Sequence, residues 1–100
     1  MPLVAKAAIP GLTREQYDAM RAEIGWLERE PEGGCAHIAW WEGDVYHQLD
    51  VWENEEAFAK FGQERVAPAM ARLGMEGPPP EVTFHEAYEV FSPRSVQLTV

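Results

Sequence analysis

The sequence predicts an α+β domain in which an antiparallel sheet carries both of its helices on one face. Four segments of strand length and two with helical periodicity follow one another in the order β-α-β-β-α-β. The chain has 100 residues, of which 46% are hydrophobic and 11% aromatic. That content is enough for one buried core and too small for two. The order of elements is that of the split βαβ, or ferredoxin-like, sandwich.

The first strand and the first helix are clearly marked. Residues Leu3 to Ile9 form an apolar run that ends at a Pro-Gly pair. Thr13 is suited to cap the following helix, and Gln16 three residues later completes a capping box. Gly25 is suited to end it, so the pattern predicts a helix over roughly 14–24.

The segments CAHIAWW and VYHQLDVW, joined by EGD, predict a β-hairpin. With Gly43-Asp44 as a two-residue turn, the expected cross-strand neighbours are Trp41 with Tyr46, Trp40 with His47, Ile38 with Leu49, His37 with Asp50, and Cys35 with Trp52. One face of the hairpin is mostly apolar and is expected to lie under the helices: Ala36, Ile38, Trp40, Val45, His47, Leu49 and Val51. The other face is more polar and aromatic: His37, Trp41, Tyr46, Gln48, Asp50 and Trp52.

The second half of the chain predicts one more helix and one more strand. Asn54 is a candidate N-cap, and Gly74 is expected to end the helix. Pro68 lies within it and should kink or restart it, because proline removes a hydrogen bond and crowds the previous turn. After the EGPPP linker, EVTFHEAYEVF predicts the last strand and SVQLTV a possible fifth. We therefore predict one domain over residues 1–91 and a C-terminal tail over 92–100, which could add a strand at a dimer interface.

Charge and cysteine content limit the partners. The formal net charge of −9 disfavours binding to nucleic acid and to anionic membrane surfaces. No apolar run approaches the ~18 residues that span a bilayer, and the opening MPLVAKAAIPG predicts a strand instead of a signal peptide. Cys35 is the only cysteine, which excludes a disulfide within the chain. These features predict a cytoplasmic protein with no nucleic-acid or membrane partner.

The predicted sandwich leaves one face of its sheet uncovered, in a chain that holds four tryptophans. Aromatic side chains on such a face need a large apolar contact or a partner that covers them. A second copy related by a two-fold axis is the simplest cover. The residues themselves therefore predict a homodimer.

The pair His37 and Asp50 is the most specific chemical feature of the sequence. A carboxylate beside an imidazole fixes its tautomer and raises its basicity. A general base that takes a proton from an acidic phenol or carbon acid requires both properties. The structural alternative is a polar pair that satisfies itself at the dimer seam, and the sequence leaves both interpretations open.

Three aromatic residues are candidates for substrate binding, namely Trp41, Trp52 and Tyr46, because flat rings stack on flat ligands. Tryptophans in strands more often belong to a core or an interface, which is the competing interpretation. The three histidines do not predict a metal site. Zinc or iron would need them to converge on one face, and the hairpin register places His37 and His47 on opposite faces. No phosphate loop or dinucleotide fingerprint is present, and no cofactor is predicted.

The order of elements, with DVWENEEAFAKF, ERVAPAMARLG and EVTFHEAYEV, resembles the dimeric α/β barrel superfamily over residues 3–91. Within it the chain is most similar to small stand-alone domains akin to antibiotic biosynthesis monooxygenases. In those domains a histidine on the second strand, an Asp-x-Trp at the end of the third and a proline in the second helix recur. The matching positions here are His37, Asp50 with Trp52, and Pro68. The resemblance implies a dimer whose two sheets face each other as a barrel, with a cavity near the sheet of each subunit.

Relatives of this kind include cofactor-free oxygenases of polyphenolic substrates, haem-degrading enzymes, isomerases and decarboxylases. The haem-degrading branch is disfavoured because it has a tryptophan where Phe61 stands and a histidine in a helix that here has none. The first strand also lacks the asparagine of that branch.

We expect a cofactor-independent monooxygenase or a related enzyme that acts on a small aromatic or polyketide-like substrate. His37 would be the base, Asp50 its orienting partner, and Trp41 and Trp52 stacking walls beside Tyr46. One alternative is a non-catalytic homodimer that binds a small ligand or acts in a stress response. Another is a structural dimer without a cavity.

Overall fold

The computed structural model describes residues 1–75, 77 and 79–93. One antiparallel sheet has the strand order β2-β3-β1-β4 and consists of β1 (Leu3–Pro10), β2 (Gly34–Glu42), β3 (Val45–Trp52) and β4 (Val82–Glu86). The α-helices are α1 (Arg14–Ile24), α2 (Glu55–Phe61) and α3 (Ala67–Arg72). The architecture is the ferredoxin-like α+β sandwich that the sequence predicted. Within this described part of the chain, every helix is too short or too polar to cross a bilayer.

Helix α1 begins and ends where its capping residues predict. The Thr13 hydroxyl accepts a hydrogen bond from the Gln16 backbone N–H at 3.1 Å, and the Gln16 side chain accepts one from the Thr13 N–H at 2.9 Å. Gly25 adopts a left-handed conformation with φ of 71°, and its N–H donates to the Arg21 carbonyl at 2.9 Å. The two caps satisfy backbone groups that a helix end otherwise leaves unpaired.

The second helical segment is divided into three parts. Asn54 caps α2 by accepting a hydrogen bond from the Ala57 N–H at 2.8 Å. A π-helical turn over Gly62–Val66 follows, and α3 then begins with Pro68 in its first turn. Pro68 has no N–H to donate, so an unbroken α-helical ladder cannot pass through it. The predicted restart at Pro68 is confirmed.

The hairpin register agrees with the prediction except at its far end. Every predicted pair from the turn as far as His37 with Asp50 is confirmed. The expected pair of Cys35 with Trp52 is wrong, because β2 contains a bulge at this point and Trp52 faces Gly34 instead. A bulge inserts one residue that has no partner on the opposite strand, and counting from the turn could not reveal it.

The prediction of which hairpin face lies under the helices is wrong. The polar aromatic face packs against them: Tyr17 of α1 lies 5.5 Å from Tyr46, and Phe58 of α2 lies 6.0 Å from Trp52, between ring centroids. The apolar face is open and leaves Ile38 54% exposed. The covered face can be buried because its polar groups hydrogen-bond to one another, and its rings supply the apolar contact.

Strand β4 is shorter than the predicted segment EVTFHEAYEVF. Its partner β1 begins at Leu3, which pairs with Glu86. One further bond, from the Ala87 N–H to the Pro2 carbonyl at 2.9 Å, extends the pairing. Beyond Ala87 the predicted segment is not part of the strand. The candidate fifth strand SVQLTV lies outside the described residues.

Candidate active site

The centre of the candidate site is the pair His37 and Asp50, which lie directly opposite each other on β2 and β3. The distance from His37 Nδ1 to Asp50 Oδ1 is 2.5 Å. Asp50 is 7% exposed, whereas the His37 side chain is 31% exposed. An ionised carboxylate can only accept hydrogen bonds. It therefore keeps the proton of the neutral imidazole on Nδ1 and leaves Nε2 as the basic nitrogen.

A residue that the sequence analysis did not assign to the site bonds to this basic nitrogen. The Tyr17 hydroxyl lies 2.8 Å from His37 Nε2, and the two rings are stacked at 6.1 Å with an interplanar angle of 20°. In the neutral imidazole Nε2 is an acceptor, so the Tyr17 O–H is the donor. Tyr17 belongs to α1, and only the packing of α1 on the sheet brings it to β2. No local sequence signal identifies it.

The second carboxylate oxygen of Asp50 also has a partner. The Gln48 side-chain amide donates to Asp50 Oδ2 at 3.3 Å, and the Tyr46 hydroxyl donates to the Gln48 amide oxygen at 2.8 Å. Five side chains thus form one continuous series of hydrogen bonds, which we call the polar chain: Tyr17, His37, Asp50, Gln48 and Tyr46. The alternation along β3 placed Gln48 on this face, but a neutral amide carries no sequence signal for a functional role.

Burial affects both phenols of the polar chain. It raises the pKa of Tyr17 above its ordinary value of 10.0, an effect that Arg21 opposes and Asp50 increases. Burial also raises the pKa of Tyr46, and the nearby Tyr17 and Asp50 add to this. Both hydroxyls therefore keep their protons at neutral pH and remain hydrogen-bond donors. The direction of the hydrogen bonds in the polar chain follows from this.

Two tryptophans border the polar chain. Trp41, a predicted substrate-binding residue, lies 5.8 Å from Tyr17 and 5.1 Å from Tyr46 between ring centroids, each time edge-on. Trp26, which the sequence analysis did not assign, lies 5.2 Å from His37 and 5.9 Å from Tyr17. Edge-to-face contacts of this kind are favourable for aromatic rings. The imidazole of His37 thus lies beside the rings of Tyr17 and Trp26.

Trp52, also predicted to bind substrate, lies at the end of β3 and faces α2. Its ring is 5.3 Å from Phe61 and 6.0 Å from Phe58, and the residue is 4% exposed. Its indole N–H is buried and finds no acceptor among residues 1–75, 77 and 79–93. The structure therefore brings Trp41 and Tyr46 together with His37 and Asp50, and packs Trp52 into the neighbouring aromatic layer.

Two surface depressions lie away from the polar chain. One has a volume of about 450 Å³ and is lined by Thr13, Glu15, Gln16, Ala19, Leu73 and Met75. The other has about 200 Å³, and its lining includes Arg29, Lys60 and Arg65. Neither contains a member of the polar chain. His37 Nε2 itself is hydrogen-bonded to the hydroxyl of the partly exposed Tyr17.

His47 lies on the open face of the sheet, opposite to His37 as the register predicted. Its ring stacks on Trp40 at 5.3 Å, and its Nε2 lies 3.2 Å from a Glu42 carboxylate oxygen. No group of three or more His, Cys, Asp or Glu side chains within the described part of the chain is arranged to hold a metal ion.

Solved structures share this architecture over nearly the whole chain. A protein from Mycobacterium tuberculosis superposes with a TM-score of 0.67 at 14% identity, covering 92% of this chain and 100% of its own. A protein proposed to be an antibiotic biosynthesis monooxygenase, from Chloroflexus aurantiacus, gives 0.65 at 14% identity, with 92% and 98% covered. A variant of SnoaB, a cofactor-independent oxygenase from Streptomyces nogalater, gives 0.58 at 18% identity, with 93% and 96% covered.

The chain has the fold of these proteins. The resemblance to antibiotic biosynthesis monooxygenase-like domains is thereby confirmed for the fold. No protein-family model matches the sequence, and no curated protein matches it either. At identities of 14% and 18% the three structures carry no information on which reaction this chain performs, because one fold hosts many functions. The function has to be argued from the polar chain.

Proposed function

We propose that this protein is a cofactor-independent monooxygenase that acts on a small aromatic or polyketide-like substrate, with His37 as its general base. The observation that carries the proposal is the 2.5 Å contact between His37 Nδ1 and the buried Asp50 carboxylate. This contact orients the imidazole and stabilises the imidazolium that forms when Nε2 takes a proton. SnoaB, a cofactor-independent oxygenase, has the same fold, so the fold is compatible with this class of reaction, which we infer from the His37–Asp50 contact.

The chemistry requires one proton transfer from the substrate before oxygen reacts. A phenolic substrate with an acidic CH₂ group loses a proton to the base and becomes a carbanion. The carbanion transfers electrons to O₂ and a C–O bond forms, which gives a peroxide anion. This anion takes back the proton held by the base, and the hydroperoxide then loses water to leave a carbonyl group. One oxygen atom enters the product and the other leaves in water. The substrate supplies all of the electrons.

Tyr17 lies between the substrate and the base in this proposal. Its hydroxyl occupies Nε2 at 2.8 Å, so the substrate proton moves to the Tyr17 oxygen as the Tyr17 proton moves to His37. The raised pKa of Tyr17 disfavours a separate phenolate, and the two transfers therefore occur together. Trp41 provides the stacking surface for the substrate ring. The buried Trp52 supports the end of β3 from within the aromatic layer.

Oxygen uptake by the purified protein tests the proposal. The substrates are a panel of polyphenols that begins with dihydroxyanthrone, which combines phenol groups with an acidic CH₂. The His37→Ala variant should lose uptake by a factor of about 10² or more, because a positioned base contributes that much. The His47→Ala variant is the matched control, since His47 lies on the opposite sheet face, and it is compared under conditions in which it sediments as the native protein does. A folded His37→Ala protein with unchanged uptake would exclude His37 as the base.

A second candidate function is non-catalytic binding of a small aromatic ligand. One observation favours it: the Tyr17 hydroxyl already occupies His37 Nε2 at 2.8 Å, the nitrogen that a base must have free to accept a proton directly. The same panel distinguishes the two functions. Thermal stabilisation by a compound that causes no oxygen uptake would support binding without turnover, whereas uptake that depends on His37 would support the oxygenase.

We also propose that two copies associate through the open sheet face. Ile38 is 54% exposed and Trp40 37% exposed on that face, and burying such side chains is favourable. Sedimentation velocity should find a dimer for the native protein and a monomer for Ile38→Glu. Ala22→Glu, an exposed position on α1, is the control and should leave the dimer intact. A native protein that sediments as a monomer at every concentration would contradict the proposal.

A further inference from the structure

The second carboxylate oxygen of Asp50, Oδ2, needs a hydrogen-bond donor other than His37, because His37 Nδ1 bonds to Oδ1. A buried carboxylate needs several donors to remain ionised. His37 Nδ1 serves Oδ1, and the Gln48 amide N–H serves Oδ2 at 3.3 Å. Asp50 and Gln48 lie two residues apart on β3, so their side chains share one face of the sheet. The strand geometry therefore places the two side chains next to each other.

The orientation of the Gln48 amide follows from its two neighbours. The anionic Asp50 accepts only, so the NH₂ group of Gln48 must face it and the amide oxygen must face away. That oxygen accepts the Tyr46 O–H at 2.8 Å. Tyr46 is 2% exposed, so water does not compete for this bond. A hydrogen bond accepted at the amide oxygen polarises the amide and strengthens its N–H as a donor.

We propose that Gln48, oriented by Tyr46, is a positioning residue that sets the basicity of His37 by sharing the negative charge of Asp50. This inference rests on the proposed function, since it assigns Gln48 and Tyr46 to the base of that site. A carboxylate that divides its charge between two donors attracts the imidazolium less strongly than one with a single donor. Gln48 thus keeps His37 a base that can release its proton again after each turnover.

Loss of the Gln48 amide should make His37 bind its proton more tightly. Removal of the Gln48 amide leaves Oδ2 without its donor, so the proton affinity of the His37–Asp50 pair increases. The midpoint of His37 protonation should then move to higher pH. A hydrogen bond to a charged group is comparable in free energy to a tenfold change in proton affinity, so we expect a rise of about one pH unit.

The other charged and titratable groups near His37 stay unchanged in the Gln48→Met variant. They lie on β3 and on the helix packed against it: Asp50, Tyr46, Tyr17, Arg21 and Asp18. The Gln48→Met variant alters none of them and keeps the length of the side chain. The Tyr46→Phe variant keeps the ring and removes only the hydroxyl that orients Gln48.

The experiment is an NMR titration of the histidine ring protons in the full-length protein, without substrate. Gln48→Met should raise the His37 midpoint by about one pH unit, and Tyr46→Phe should raise it by less. His47, on the other sheet face, is an internal control in every spectrum and should not move. A His37 midpoint that is unchanged or lower in Gln48→Met would overturn the inference. If Gln48→Met does not fold, Tyr46→Phe alone decides by the same criterion.

The result is independent of turnover. A protein that shows no oxygen uptake with any substrate would count against the oxygenase, yet the His37 midpoint would still report whether Gln48 sets its basicity. Conversely, an active enzyme whose His37 midpoint does not respond to Gln48→Met would keep its proposed function and lose this positioning residue.

Discussion

Replacing Tyr46 by phenylalanine removes a single hydroxyl from the buried end of the polar chain. The residue is 2% exposed, and its O–H donates to the Gln48 amide oxygen at 2.8 Å. The ring and its edge-on contact with Trp41 at 5.1 Å are kept in the variant. The hydrogen bond is therefore the main interaction that changes, and the buried position of the lost hydroxyl hinders water from replacing it.

The expected loss of stability follows from that geometry. A typical hydrogen bond contributes about 1 kcal/mol net, and an acceptor left buried without a donor costs about 1–3 kcal/mol. We expect Tyr46→Phe to lower the free energy of unfolding by about 1–2 kcal/mol. For a domain of this size that corresponds to a decrease in Tm of roughly 5–15 °C.

Tyr17→Phe is the matched control, because the same hydroxyl is removed from a partly exposed residue. Water can replace the Tyr17 hydroxyl at His37 Nε2, so the expected loss is below about 0.5 kcal/mol. Both variants are measured by urea denaturation at pH 7 and one protein concentration, and the comparison is valid if the slope of the transition is unchanged. Equal losses in the two variants would refute the reasoning, because burial would then not control the cost.

Two further predictions concern alkaline stability and a glycine in the loop before β2. Because burial raises the pKa of Tyr17 and Tyr46 in the folded state, their contribution to stability is complete below about pH 10 and is lost as the pH rises above it. Urea denaturation at pH 8 and above pH 10 should find this decrease, and Tyr46→Phe should reduce it; an identical decrease in the variant would contradict the assignment. Gly33 has φ of 80°, and a Cβ there would lie 2.6 Å from the Ala57 Cβ, so Gly33→Ala should cost about 2–4 kcal/mol from strain and overlap together. Gly43→Ala has a similar positive φ and no atom within 4 Å, so it should cost only about 1–2 kcal/mol; similar losses at both positions would refute the overlap.

Much of the site could be predicted because it depends on local rules. With Gly43-Asp44 as the turn, the pleat of two antiparallel strands places His37 opposite Asp50, and the structure confirms the contact. The same counting failed for Cys35, since a bulge changes the register without a distinctive residue pattern. Tyr17 and Trp26 could not be assigned by counting, because they reach His37 from a helix and from the turn that follows it.

The sequence by itself determined the elements, their caps and their order. Thr13, Asn54, Gly25 and Pro68 act within a few residues of their own positions, so their effects do not depend on the rest of the chain. The tertiary structure decided which sheet face the helices cover, and hence what surrounds His37. Hydrophobicity alone favoured the apolar face. The polar face is covered instead because its hydrogen-bonding groups satisfy one another once they are assembled, and that mutual satisfaction exists only after the strands and α1 have come together.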